Sequence, residues 1–175
     1  RTWLNGHFYN IAFSDSDKQK INTTHLVNGD NPWYGTLGGI DTYDKVFVPS
    51  VSDVLNSASG FSSNIETDDT ARRAKVTEFA KSRGADVSTS TDYYGNGCWW
   101  LRTPGSFEWY ACDVDYDGSV QFCGHSYCNG FNHVYGYISG VRPALKLNLT
   151  SSIYQSKSHN SYEIKTVDGT TGKPL

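Results

Sequence analysis

Gly97-Cys98-Trp99-Trp100-Leu101-Arg102-Thr103-Pro104-Gly105 and, further on, Gly140-Val141-Arg142-Pro143-Ala144-Leu145-Lys146-Leu147 bracket the part of this chain that decides its fold. The first is a short apolar run closed by a Pro-Gly pair, which reads as a strand ending in a turn. The second alternates apolar and polar residues, with its proline near the start, where a strand tolerates one. Trp99, Trp100, Leu101, Val114, Val120, Val141 and Leu145 are the expected core. Arg142, among them, is expected to satisfy backbone or acidic partners inside.

Between the brackets the composition changes. No Lys or Arg occurs in the 39 residues from 103 to 141, although the chain carries 15 of them. Glycines at 118, 124, 130 and 136 recur every six residues, which suggests short strands and tight turns. Around them lie aromatic, amide, imidazole and carboxylate side chains. Rings with polar tips beside small adaptable residues make up the residue set of a binding paratope. The alternative, an aromatic-rich core, is argued against by Asn, Asp, His and Ser, which interleave too densely to be buried without partners.

Working outward, Trp3, Leu4, Phe8, Ile11 and Ala12 fall at helical spacing, and Ser14 with Asp17 suggests a cap opening a second short helix. Residues 22–43, rich in Asn, Gly, Thr and Asp and containing Pro32, read as a long loop. Lys45 to Pro49 reads as a short strand, with Ser52 capping a brief helix through Val54 and Leu55. A longer helix is expected over 68–83, with Asp68 and Asp69 at its positive end, Lys81 and Arg83 at its negative end, and Gly84 as the stop. Residues 150–175 turn polar and read as a C-terminal tail or linker. The whole is α+β, with short antiparallel strands and two or three helices.

The chain has 175 residues, a formal charge of −3 from 15 basic and 18 acidic residues, and 14% aromatics. That balance argues against nucleic-acid binding, which needs clustered cations, and so many rings argue against disorder. No apolar run approaches the ~20 residues of a membrane helix, so no direct membrane insertion is expected. Arg1 opens directly in helix-like sequence without a leader, as an excised fragment or a processed form would. Cys98, Cys112, Cys123 and Cys128 form no CxxC pair and no zinc-finger spacing. They are open to disulfides of undetermined pairing or to free thiols.

The frame from Gly97 to Gly105, with Val114, Gly118, Val120, Gly124 and the closing Gly140-Val141-Arg142-Pro143-Ala144-Leu145, resembles the C-type-lectin-fold variable proteins of diversity-generating retroelements. Thr2-Trp3-Leu4-Asn5 and Asp44-Lys45-Val46-Phe47 also look like this group and its non-diversified bacterial relatives with the same frame. The resemblance spans residues 1–149. It implies a C-type-lectin-like fold of the formylglycine-generating-enzyme-like branch, with a variable region at about 105–140. In that family adenines of Asn-type template codons are randomised. Such codons yield Tyr, Phe, Cys, His, Asp, Ser or Gly but never Lys, in keeping with the composition here. Glu108, Trp109 and Gln121 cannot arise in this way and are fixed or templated differently.

The resemblance implies a non-catalytic ligand-binding domain, an adhesin-like hypervariable surface. It would be displayed on a bacterial cell or phage particle, within a larger surface protein, toward a protein or other surface ligand. The candidate contact residues are Phe107, Trp109, Tyr110, Asp113, Asp115, Tyr116, Asp117, Phe122, His125, Tyr127, Asn129, Phe131, Asn132, His133, Tyr135 and Tyr137. Most are expected to reach solvent.

Three other readings compete. The face could pack on a neighbouring domain of its parent protein as a structural module. The broad fold also hosts formylglycine-generating oxidases, for which Cys112, Cys123 or Cys128 would act with His125 or His133 as base, but a catalytic group at a randomised position would not survive. Finally, Asp113-Val114-Asp115-Tyr116-Asp117-Gly118 resembles the start of a calcium loop, yet Gly124 stands where a bidentate Glu is required. No catalytic residue, metal or cofactor is expected.

Overall fold

The structure, a computed structural model, describes residues 1–122 and 139–148, together with the backbone of two strands at 152–157 and 161–166. In chain order, a π-helical turn Leu4–Phe8 runs into α1 (Tyr9–Ala12) and α2 (Asp15–Lys18), followed by β1 (Ile21–Asn22), β2 (Thr24–Leu26) and β3 (Thr42–Asp44). Then come α3 (Val51–Val54), a 3-10 turn Ser57–Ser59, α4 (Glu78–Ser82), β4 (Trp99–Pro104), β5 (Ala111–Val114), β6 (Val120–Gln121) and β7 (Lys146–Leu147). The last elements are β8 (Ser152–Lys157) and β9 (Ser161–Thr166). The architecture is mixed α+β with small antiparallel sheets and few helices. The chain divides into two compact units, one of Arg1–His25, Tyr43–Phe47 and Leu145–Leu175, the other of Leu26–Thr42 and Val48–Ala144.

In the first unit Leu4, Tyr9, Ile21, Val46 and Phe47 are buried. The expected strand at Lys45–Pro49 does not form a ladder, because a side chain has taken its backbone groups. Asn5 accepts from the N–H groups of Lys45 and Val46 at 2.8 and 3.1 Å and donates to the Val46 carbonyl at 2.8 Å. Its amide thereby replaces a neighbouring strand. The helix at Asp15–Lys18 opens, as its sequence predicts, on a capping box between Ser14 and Asp17. β1 pairs antiparallel with β7, Ile21 opposite Leu147.

The last expected strand, 140–147, is thus split. Gly140 bridges to Trp99 in the second unit, and only Lys146–Leu147 forms strand in the first. Pro143, which has no N–H to donate, lies between the two pairings. The tail expected at 150–175 contains an antiparallel hairpin, with Ser152 opposite Thr166 and Lys157 opposite Ser161.

The second unit is built on the sheet β4-β5-β6. Burial alternates along β4, with Trp99, Leu101 and Thr103 inward and Trp100, Arg102 and Pro104 half-exposed. Trp99, Leu101, Cys112, Val114 and Val120 form one cluster with Val51 and Val54 of α3. Trp100 and Leu145 are therefore only half-buried, and Val141, expected in the core, is 54% exposed. Helix α3 is capped by Ser50 with Asp53, two residues before the expected Ser52. Asp53 also accepts from Arg102 at 2.6 Å. Burial alone would push the Asp53 carboxyl up, but the Ser50 N–H and the Arg102 guanidinium outweigh it and hold the carboxyl below its ordinary value.

The helix expected over 68–83 is reduced to Glu78–Ser82, capped by Thr77, with Gly84 at φ 92° as its stop. The cause is Arg72, a side chain with no exposed surface. It donates to the carbonyls of Gly118 (2.5 Å), Ser62 (2.7 Å), Asn64 and Thr67 (2.9 Å each) and Val54 (3.3 Å), and lies 3.5 Å from the Asp69 carboxylate. One guanidinium thus closes the 54–69 loop onto the turn after β5. Residues beyond it run extended, with Lys75 bridged to Asn96, which is incompatible with helix.

Candidate functional site

Strand register sorts the candidate contact residues. Pro104 lies opposite Ala111 and Trp99 opposite Val114, while Val120 of β6 lies opposite Val114. The turn 105–110 and residue 122 therefore sit at one end of the sheet, and the turn 115–119 sits at the other.

At the first end, Gly105 donates to the Tyr110 carbonyl at 2.8 Å and Tyr110 to the Phe107 carbonyl at 3.0 Å. This tight closure leaves Phe107 and Trp109 on the outside, 52% and 44% exposed. Their rings stack at 5.1 Å and 1°. The Tyr110 ring is buried beneath them, tilted against both.

A second turn joins this end, placed by Asn31. This side chain is 1% exposed. Its amide donates to the carbonyls of Pro104 at 2.8 Å and Phe122 at 2.9 Å, while its oxygen accepts from the N–H groups of Trp33 and Tyr34 at 2.8 and 3.0 Å. The backbone closes the same turn, with Gly35 donating to Asn31 and Asn31 to Thr36, both at 2.8 Å. Trp33 and Tyr34, 41% and 50% exposed, are thereby laid against Phe122, with centroids at 4.8 and 6.2 Å.

Between the two turns runs a groove of ≈ 370 Å³, lined by Gly35, Thr36, Leu37 and residues 106–109. The outcome is an aromatic rim of Trp33, Tyr34, Phe107, Trp109 and Phe122. Three of these belong to the expected contact set. Trp33, Tyr34 and Leu37 fall in the expected 22–43 loop and outside the expected contact set, although two adjacent rings between Pro32 and Gly35 are a signal of a turn that displays them.

The other candidates lie elsewhere or inside. Asp113 and Asp115 are buried, at 0% and 6% exposed. Asp115 accepts from the Tyr116 N–H at 2.7 Å, and its Oδ1 lies 3.2 Å from the Cys98 sulfur. Burial, assisted by the nearby Asp117 charge, pushes its carboxyl up. Asp117 accepts from the Ser119 N–H at 2.8 Å and so closes the turn. Tyr116 is half-buried and donates to Asp86 at 2.5 Å. Burial and that carboxylate push its phenol up. Asp115, Tyr116 and Asp117 thus tie down the far end of the sheet, while Asp113 lies within β5 opposite Trp100 and Gln121. His125, Tyr127, Asn129, Phe131, Asn132, His133, Tyr135 and Tyr137 lie outside the described residues.

Cys98 is disulfide-bonded. Cys112 is a free thiol with no exposed surface, its sulfur facing the carbonyls of Pro104 and Phe122 at 3.1 and 3.3 Å. Arg142 donates to the Arg72 carbonyl at 3.1 Å, with its guanidinium 5.1 Å from the Trp99 ring centroid, which is the backbone-satisfying role its sequence context suggests. Among the described residues no three His, Cys, Asp or Glu side chains are grouped to hold a metal ion. No helix among them is long and apolar enough to cross a membrane. Such a rim offers ring faces, ring edges and polar tips on a turn fixed from beneath.

Residues 1–149 match the family described as a domain of unknown function, DUF6273, and the chain belongs to that family. No curated protein and no solved structure matches the chain.

Proposed function

We propose that this is a non-catalytic recognition domain, a C-type-lectin-like frame that presents an aromatic rim to a protein or other surface ligand outside a bacterial cell or on a phage particle. The observation that carries this reading is the pairing of half-exposed rings with a buried support. Trp33, Tyr34, Phe107 and Trp109 are each more than 40% exposed, yet the turns that bear them are fixed by Asn31. Rings held in this way lose little entropy on binding and offer large contact area, the attributes of affinity hot spots. The resemblance to variable proteins of diversity-generating retroelements adds that residues about 105–140 are the diversified segment. Phe107 and Phe122 would then be sampled side chains on fixed backbone, while Trp33 and Tyr34 would be constant.

Deep sequencing of the gene across a cultured population tests the reading. Substitutions confined to codons 105–140, beside a reverse transcriptase gene and a near-copy of that segment, are the expected result. Codons 105–140 as invariant as those for residues 46–54 would overturn diversification. Trp33 and Trp109 shielded from acrylamide within the intact parent protein would replace the recognition role by packing against a neighbouring domain.

A further inference from the structure

A second concavity of the same unit, of ≈ 440 Å³, is lined by Trp99 at the start of β4, the end opposite the rim. Three segments wall it, around 73–77, 97–99 and 140–143, together with Ala80 of α4 and Ala85. They are stitched together, Gly97 donating to the Ala74 carbonyl at 3.0 Å, Val76 to Gly95 at 3.0 Å, and Gly140 to Cys98 at 2.8 Å. Gly97 is required there, since a Cβ would collide with the Val76 side chain. The wall is thus shaped and hydrogen-bonded rather than a gap between loops.

Its charge is one-sided. Arg73, Lys75 and Arg142 line it, and among the described residues no Asp or Glu does, in a chain whose formal charge is −3. Each cation is steadied from the flank. Arg73 pairs with Asp68 and lies 5.0 Å from the Tyr93 ring centroid, Lys75 donates to the Tyr94 carbonyl, and Arg142 rests on Trp99. The remaining lining is largely apolar, with Ala74, Val76, Ala80, Val141 and Pro143. Arg73 is already paired with Asp68, while Lys75 and Arg142 bring like charge to the same concavity, and an anion that enters relieves their repulsion as it gains charge-assisted hydrogen bonds. The size falls within the range of small-molecule sites, about 300–1,000 Å³, with the usual apolar walls and few polar anchors.

We propose that this concavity binds a small amphipathic organic anion, a carboxylate or phosphate ester carried on an apolar body. It shares no residue with the aromatic rim, so the two readings stand or fall separately.

Isothermal titration of the full chain at low salt tests it with three probes of one shape: 1-naphthoate, 1-naphthyl phosphate and the uncharged 1-naphthamide. One equivalent of at least one anion is expected to bind, with naphthamide about tenfold weaker or worse, the weight of one charged hydrogen bond. A preference between the two anions assigns the headgroup. Lys75→Gln and Arg73→Gln should each weaken the anion about tenfold and leave naphthamide unchanged. Lys75→Arg, which keeps the charge, should restore binding even where Lys75→Gln lowers the melting temperature. No heat with either anion at millimolar concentration, equal affinity for naphthamide, or anion binding indifferent to both Gln variants would overturn the proposal.

Discussion

Replacing Arg72 with methionine tests how this unit is held together. Methionine keeps the apolar stem and removes every donor. Five backbone carbonyls, of Val54, Ser62, Asn64, Thr67 and Gly118, then lose their shared partner, and Asp69 loses its cation. Summing charged hydrogen bonds at about 1.5–3 kcal/mol each would overshoot, because the buried guanidinium's own desolvation is recovered when it is removed. Removal of one partner from a buried ionic network costs about 3–5 kcal/mol, since the Gly118 and Val54 acceptors stay behind buried. We expect about 4 kcal/mol for Arg72→Met, and about half that for Arg72→Lys, which keeps the charge but not the planar fork. Urea unfolding at pH 7, followed by tryptophan fluorescence and far-UV circular dichroism, reads the difference. Arg72→Met within about 1 kcal/mol of the parent, the size of an ordinary substitution, would mean that the guanidinium does not hold this unit together.

Gly118→Ala should cost about 2 kcal/mol or more in the same assay, because position 118 has φ 90° and a Cβ would collide with the Asp69 carbonyl. Asn31→Leu should cost about 2–3 kcal/mol through the orphaned Pro104 and Phe122 carbonyls and the Trp33 and Tyr34 N–H groups, and raise acrylamide quenching as the rim loosens. Two carboxylates should move oppositely with pH. Asp53 is held below its ordinary value, so its contribution is present at neutral pH and is lost as pH falls through the folded value. The deficit of Asp53→Asn should therefore shrink in acid. Asp115 is raised above its ordinary value, so it favours folding in acid and opposes it once pH passes the folded value. Asp115→Asn should gain on the parent between acid and neutral pH, as read by melting temperature across that range.

What was legible in the sequence follows period and local caps. Trp99, Leu101 and Thr103 alternate inward as strand spacing demands, and the box of Ser14 with Asp17 is a purely local signal. The illegible part is long-range and polar. Asn5, Asn31 and Arg72 act through carbonyls and N–H groups tens of residues away, and such bonds leave no periodic trace. Arg72 even counterfeits a helix. Its neighbours carry helical charge bias, but the side chain must turn inward, and the backbone follows it. In the tail, the alternation of Tyr162 and Ile164 with Glu163 and Lys165 is the period-two signal behind the hairpin. At the site, Phe107, Trp109 and Phe122 could be singled out by type. That Trp33 and Tyr34 join them depends on the pin beneath, and that Tyr110 does not depends on a turn only six residues long.

Whether the rim is surface held by core is measured by urea unfolding of Trp33→Ala, Phe107→Ala and Trp109→Ala, singly and combined. About 1 kcal/mol or less per ring is expected, with the native circular dichroism retained, as for half-exposed side chains. A loss of about 3–5 kcal/mol per ring, the cost of emptying a packed interior, would contradict it.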